Sequence, residues 1–235
     1  MSEQTKAPDG RNFAEEKKLI KISKASLLRL PSYLRYLYYK DAEGEISVSA
    51  AEAAKHLGLS DVQVRKDFAE VCSVSGRPRM GFEIKRLIRD MESFLGFDNV
   101  TEAVLVGAGQ LGKTLLGYSG FSGYGLNIVA AFDIDPKACC TAVCGKKILP
   151  MEKLEGTVKR AHIHIGIITV PAAEAQSVCN RLLSAGVLAI WNFAPVQLAA
   201  PPDIPVKNED MAASLALLSK QLKEALNNRP PEKKL

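Results

Sequence analysis

The run Gly107-Ala108-Gly109-Gln110-Leu111-Gly112 follows an apolar stretch at 103–106 and opens a helical pattern over 111–119, which leaves few folds open to this chain. At such a strand-to-helix junction each glycine has a physical use. Gly107 permits the tight turn, Gly109 lets backbone amides approach a pyrophosphate at the helix N-terminus, and Gly112 lets the helix lie close to the sheet. Asp133 stands 21 residues beyond Gly112, at the end of the next apolar run, 127–132. A carboxylate there accepts hydrogen bonds from ribose hydroxyls and repels a 2′-phosphate, so the spacing favours NAD(H) over NADP(H). A rival pattern overlaps it: Gly107, four residues, Gly112, Lys113 and Thr114 spell the P-loop of phosphate-hydrolysing proteins. A P-loop has no need of Gly109, and nothing downstream resembles a water-positioning or arginine-finger element, so the dinucleotide reading is preferred.

Around this motif the texture is that of buried strands alternating with helices. Strands are predicted at 103–106, 127–132, 163–168, 187–191 and 204–206, and helices at 111–119, 151–160, 172–185 and 209–226. Such alternation implies an α/β fold with a doubly wound parallel sheet covered on both faces. No internal repeat is found, and the boundary with what precedes falls near 97–101.

The N-terminal third reads differently. Leu27, Leu30, Leu34 and Leu37 predict a helix over 26–40, with Pro31 in its first turn or at a kink, and Ile46 and Val48 make a very short strand. Ser49 with Glu52 has the form of a capping box and starts a helix to about 56; Gly58 breaks it, and Ser60 with Gln63 repeats the pattern for a helix to about 71. Two capped helices joined by a glycine-bearing turn read as helix-turn-helix. Residues 72–82, centred on Ser75-Gly76-Arg77-Pro78-Arg79, predict a hairpin with a basic tip, and a last helix over 83–95 stops at Gly96. The expected domain is therefore a winged helix-turn-helix. A formal charge of +5 is too mild to prove a nucleic-acid partner, but between Asp61 and Arg89 seven basic residues face four acidic ones, and none of the four lies within 71–82. Arg65 and Lys66 on the second helix, with Ser60 and Gln63 beside them, are the candidate DNA contacts, joined by Arg77 and Arg79 at the wing.

A length of 235 residues suits two modest domains, and no apolar run reaches a membrane span. The polar stretch 1–18 lacks a secretory signal, so a cytoplasmic location is expected, with a disordered tail at 1–24 and a short tail at 227–235. Five cysteines, an odd number without framework spacing, point to free thiols. Cys139, Cys140 and Cys144, with His162 and His164 expected on one face of a strand, invite a metal reading. Their spacing is not that of a zinc ribbon, so no metal is expected, and buried thiols with satisfied histidines are the reading adopted.

The segments Arg29-Leu30-Pro31-Ser32-Tyr33-Leu34-Arg35, Gln63-Val64-Arg65-Lys66-Asp67-Phe68, 106–112, Ala131-Phe132-Asp133-Ile134-Asp135-Pro136 and Asn192-Phe193-Ala194-Pro195 resemble, in order, those of the Rex family of redox-sensing repressors. The resemblance runs from about 25 to 226 and implies a winged-helix domain (25–96), a Rossmann domain (97–208) and a C-terminal helix (209–226) exchanged between the subunits of a homodimer. It implies NAD(H) held by Gly107 to Gly112, Tyr118, Asp133, Thr169, Pro171, Asn192 and Phe193, with no catalytic residue. It further implies that the dimer holds an inverted-repeat operator, that NADH releases it while NAD+ supports the bound form, and that Arg35, Tyr118 and Asp210 form the switch. The family wing carries a glycine pair and Gly-Tyr where this chain has Arg77-Pro78-Arg79-Met80-Gly81-Phe82, and the family recognition helix is followed by Ser-Tyr-Phe-Gly where this chain has Ala69-Glu70-Val71-Cys72. Two other classes compete. A dehydrogenase would need a proton-transferring His or Lys in a substrate pocket, and the space after the strands is taken by 192–226. A DNA-binding protein answering to a CoA-like or adenine nucleotide is the third reading.

Overall fold

The computed structural model describes residues 22–74, 76 and 80–228, and the chain divides into two compact units between Leu95 and Gly96. Most of the two expected tails, and the wing-tip residues Arg77 and Arg79, lie outside the described residues.

In the first unit α1 (Lys24–Ala42), α2 (Ala50–Leu57), α3 (Asp61–Val71) and α4 (Ile84–Leu95) accompany two short strands, β1 (Ser47–Val48) and β2 (Phe82–Glu83). Helix α1 begins earlier than its apolar spacing predicts, because the Ser23 hydroxyl accepts from the Ser26 N–H at 3.0 Å. Pro31 therefore lies in the helix interior rather than its first turn, and having no N–H it forgoes the bond to the Leu27 carbonyl. Leu30, Leu34 and Leu37 of α1 are fully buried, as are Val64 and Phe68 of α3 and Leu87 and Met91 of α4. The Phe68 ring meets Tyr33 and Phe82 edge-on, each at 5.3 Å.

Ser49 caps α2 as predicted, accepting from the Glu52 N–H at 3.1 Å. The second capping box does not form: Ser60 makes no side-chain cap bond. With its oxygen turned toward Arg29, the Gln63 amide accepts from the guanidinium at 2.9 and 3.2 Å, a charged partner that outbids a neutral backbone N–H. The centre of the hairpin predicted over 72–82, Ser75 and Arg77 to Arg79, lies outside the described residues, and 72–74 form no strand. Among the described residues β2 pairs antiparallel with β1, Ser47 opposite Glu83 and Val48 opposite Phe82. The chain leaving α3 is held instead by α4, where Asp90 accepts from the Ser73 N–H and hydroxyl at 2.8 Å each.

The second unit runs β3 (Thr101–Val106), α5 (Gln110–Gly117), a 3-10 segment (Ser119–Tyr124), β4 (Leu126–Asp133), β5 (Ala142–Val143), β6 (Lys146–Pro150) and a 3-10 turn (Met151–Lys153). It continues through α6 (Leu154–Ala161), β7 (Ile165–Ile168), α7 (Ala172–Ala185), β8 (Ala189–Asn192), β9 (Val206–Asn208) and α8 (Met211–Asn227). The sheet order is β5-β6-β4-β3-β7-β8-β9. All neighbours are parallel except β5 on β6. Leaving out β5, this is the doubly wound order whose direction reverses between the first and fourth parallel strands, here β3 and β7. Residues of β3 alternate between two cores: Ala103 and Leu105 pack on the α5 side with Leu116, Val104 and Val106 on the α6–α7 side with Leu154 and Val178.

Two expectations about the cysteines and histidines fail. His162 is the left-handed C-cap of α6, at φ +51°, and the strand begins only at Ile165, so the two histidines do not share a strand face. Cys179 alone is buried; Cys140 and Cys144 are exposed. No cluster of three His, Cys, Asp or Glu able to hold a metal occurs among the described residues, nor does a helix long and apolar enough to cross a membrane. Helix α8 buries no residue, and its stripe Met211, Leu215, Leu218, Leu222 and Leu226 is 54–68% exposed.

Candidate nucleotide site and nucleic-acid interface

The reversal between β3 and β7 opens a crevice at the carboxyl ends of the strands, where open α/β sheets bind ligands. Thr169 closes its floor, its hydroxyl donating to the carbonyls of Val106 at 3.0 Å and Gly107 at 2.7 Å. The three glycines divide by cause. Gly107 sits at φ +103°, where an added Cβ would fall 2.8 Å from the Thr169 backbone. At Gly112 the Cβ would fall 1.9 Å from the Gly107 carbonyl oxygen, so helix α5 could not lie where it does. Gly109 has neither reason: its φ is an ordinary −68°, and a Cβ there would meet nothing within 4 Å. Glycine at this position leaves the space above the start of α5 clear, and as N-cap it provides no side chain to satisfy the helix amides. Both properties suit an incoming phosphate.

Asp133, ending β4, accepts from the Ala108 N–H through one oxygen at 2.5 Å and from the Asp135 N–H through the other at 2.8 Å. It holds the glycine loop while standing on the rim of a cavity of about 360 Å³ shared with Gly107, Gly109, Thr169 and Pro171. Ile134, 81% exposed on the same rim, offers an apolar surface that sequence reasoning did not single out, although it lies within a segment that resembles the family. The P-loop geometry is absent. Helix α5 starts at Gln110, inside the would-be phosphate loop. Lys113 and Thr114 are exposed helical residues, and the Thr114 hydroxyl donates to the Gln110 carbonyl at 2.9 Å.

On the other face of the sheet, beside α5, an aromatic surface flanks the crevice. Tyr118, 53% exposed, meets Phe121 edge-on at 4.9 Å; Phe121 meets Trp191 at 5.5 Å, and Trp191 meets Phe193 at 4.9 Å. Gly120 makes room for the Tyr118 ring, which a Cβ there would overlap. Asn192 is fully buried, donating to the Val196 carbonyl and the Asn208 side chain at 2.8 Å each and accepting from the Ala194 N–H at 3.0 Å. Its polar atoms shape the loop that carries Phe193. Gln110 and Leu111 lie exposed in the first turn of α5.

In the first unit, α3 turns Val62, Arg65, Lys66 and Ala69 outward, the spacing of one helical face. Asp67, 1% exposed, faces inward and accepts from Arg29 Nε at 2.8 Å, Arg29 Nη2 at 2.9 Å and the Tyr33 hydroxyl at 2.7 Å. Burial and then the Asp67 bond push the Tyr33 phenol up to about 12. Sequence reasoning found Arg29, Tyr33 and Asp67 in the family-like segments without assigning them this role, since partners 38 residues apart leave no periodic trace. Gln63 joins the same brace through Arg29, while the exposed Ser60 hydroxyl has no partner among the described residues. Arg65 pairs with Asp61 at 2.9 Å and Lys66 with Glu70 at 3.8 Å, the two cations staying 67% and 74% exposed. Such pairs hold weakly in water and leave both cations available to phosphate. Of the expected switch residues, Arg35 is exposed on α1 without a partner among the described residues, and Asp210 caps α8 by accepting from the Ala213 N–H at 2.9 Å.

Comparison with known proteins agrees with this division. A family model described as a CoA binding domain matches residues 98–196, and one for the N-terminus of putative DNA-binding proteins matches 21–69. A redox-sensing transcriptional repressor Rex of Bacteroides fragilis is 37% identical over 90% of this chain and 96% of its own length. Those of Desulfitobacterium hafniense and Syntrophomonas wolfei are 40% identical, covering 86% and 90% of this chain and 96% and 100% of theirs. Among solved structures, RSP in complex with β-NAD+ and operator DNA superposes with a TM-score of 0.81 at 31% identity, over 87% of this chain and 94% of that one. RSP with β-NADH gives 0.78 at 30%, over 87% and 96%. The chain belongs to the Rex family of redox-sensing transcriptional repressors.

Proposed function

We propose that this protein is a repressor that holds an inverted-repeat operator as a homodimer when NAD+ prevails and lets go when NADH fills its Rossmann unit. The observation that carries the nucleotide half is Gly109: the protein itself has no use for a glycine there, and a closely approaching pyrophosphate does. Asp133 adds the choice of dinucleotide. A carboxylate beside the adenosine ribose repels a phosphate on either hydroxyl, which disfavours NADPH and also CoA, whose ribose carries a 3′-phosphate. Bound NAD(H) supplies a nicotinamide ring that is cationic when oxidised and neutral when reduced. With the ribose end at Asp133, the far half of a dinucleotide extends across the crevice toward Tyr118 and Phe193.

Ser60, Gln63, Arg65 and Lys66, with Arg77 and Arg79 of the wing, are the proposed DNA contacts, Gln63 with its amide oxygen already held by Arg29. Helix α8 supports the dimer, since its apolar stripe is left uncovered by the described residues of its own chain, and the family resemblance has it exchanged between subunits. In the switch, Asp210 pairs with Arg35 in one state and with Tyr118 in the other. Operator binding implies a cytoplasmic location. Selection of bound sequences from random duplex DNA in the presence of NAD+ tests the reading: it should return an inverted repeat. Arg65→Ala or Lys66→Ala should then lower the slope of log affinity against log salt by about one for each phosphate left without its cation. Recovery of no symmetric site, or wild-type binding by both variants, would refute it.

A further inference from the structure

Between the aromatic surface and α8 there is a continuous chain of contacts that the switch residues do not account for. Tyr118 meets Phe121 at 81°, Phe121 meets Trp191 at 69°, and the Trp191 indole N–H donates to Glu209 Oε1 at 2.8 Å. Glu209 is fixed at its backbone as well, its N–H donating to the Asn192 carbonyl at 2.8 Å and so extending the β8–β9 ladder by one residue. Its second oxygen lies 3.6 Å from Lys207 Nζ, an exposed pair of little weight. The next residue is Asp210, the N-cap of α8.

We infer that Trp191 and Glu209 are positioning residues that transmit the state of the nicotinamide side of the crevice to the first turn of α8, resting on the NADH-responsive reading above. Edge-to-face rings at these separations are in contact, so a shift of Tyr118 displaces Phe121 and then the indole. An indole has one donor and no acceptor, so its orientation fixes where the Glu209 carboxylate sits. Glu209 and Asp210 are consecutive, and a change at the first alters the φ and ψ that set the cap of the second. A ligand shifts a two-state element only through contacts that differ between the states, and this route provides one within a single subunit. The expected three-residue switch names the ends, Tyr118 and Asp210, and leaves out what joins them.

Trp191 is the only tryptophan in the chain, so its emission reports on this contact directly. Two variants dissect it: Trp191→Phe keeps a ring and removes the N–H, and Glu209→Ala removes the acceptor. Both should bind operator and NADH, but the factor by which saturating NADH weakens operator binding should fall about tenfold, the scale of one charge-assisted hydrogen bond. Glu209→Gln keeps an acceptor oxygen and should restore most of that factor, which a merely structural defect would not allow. In the wild type the emission maximum should move on adding NADH, whereas free Glu209→Ala should start displaced and move little; energy transfer to the nicotinamide changes intensity rather than wavelength. Wild-type release factors in both variants, or an emission maximum in the wild type indifferent to NADH, would overturn the inference. Failure of the wild type itself to release operator would instead overturn the reading on which it rests.

Discussion

Gly109 and Gly112 differ by three positions and should fail in opposite ways when given a methyl group. In Gly112→Ala the new Cβ would stand 1.9 Å from the Gly107 carbonyl oxygen and 3.0 Å from the Thr169 hydroxyl, against the roughly 3.3 Å at which carbon and oxygen ordinarily meet. The obstacle is backbone on one side and a doubly bonded hydroxyl on the other, so α5 must retreat by about 1 Å from the sheet. That loosens Leu116 and Ala108, both buried beneath it. Overpacking of this kind costs about 3 kcal/mol at the upper end of its usual range, or a fall of about 10 °C in the melting temperature of a unit this size. Gly109→Ala meets nothing within 4 Å at an ordinary φ, so its stability should stay within about 1 kcal/mol of wild type, on the stabilising side through the stiffer unfolded chain. The same methyl enters the space through which a pyrophosphate would reach the α5 amides. Removing one charge-assisted bond of that type should lower NADH affinity about tenfold or more. Circular-dichroism melts without ligand and calorimetric titration with NADH separate the two effects. Wild-type NADH affinity in a stable Gly109→Ala protein would refute the assignment of this glycine to the ligand.

Asp133→Ala should narrow the preference for NADH over NADPH, and over CoA, in the same calorimetry; an unchanged preference would remove the carboxylate from the ribose site. Asp67→Ala leaves Arg29 without its buried partner and should destabilise the N-terminal unit by about 3–5 kcal/mol while the nucleotide unit still binds NADH. The Tyr33 phenol, held neutral by burial and by Asp67 up to about pH 12, contributes stability that is complete below its unfolded value near 10. That stability is lost as pH rises through 12, so melts of the wild type should show a loss across this window that Tyr33→Phe lacks. Leu218→Asp with Leu222→Asp should leave the α8 backbone helical and yield a monomer by sedimentation, because both side chains are exposed in the single chain.

The parts of this protein that sequence made legible are those whose cause is local. Glycines at a strand–helix junction, an acid at the end of the next strand and apolar runs of the right length suffice for the doubly wound order. The short strands β5 and β6 escaped because Lys146-Lys147-Ile148-Leu149-Pro150 neither alternates nor forms an apolar run, and its pairing with β4 is decided by the sheet. The capping signal at Ser60 was overridden by a distant arginine, and the wing strand chose a partner some 35 residues upstream. Gly109 shows the opposite case, where a residue the fold does not need was readable from its motif. The Tyr118 to Glu209 chain was invisible, since Phe121 and Trp191 are 70 residues apart and meet only once the sheet is assembled.

A single chain that reads the ratio of NADH to NAD+ must report it as occupancy of DNA. The direct test is the affinity of the wild-type protein for its selected operator, followed by fluorescence anisotropy at constant total dinucleotide while the NADH fraction is raised. Operator should be released as that fraction rises, with NADPH at the same concentrations nearly without effect. Affinity that is the same in NADH as in NAD+ would contradict the account, whatever the two units bind separately.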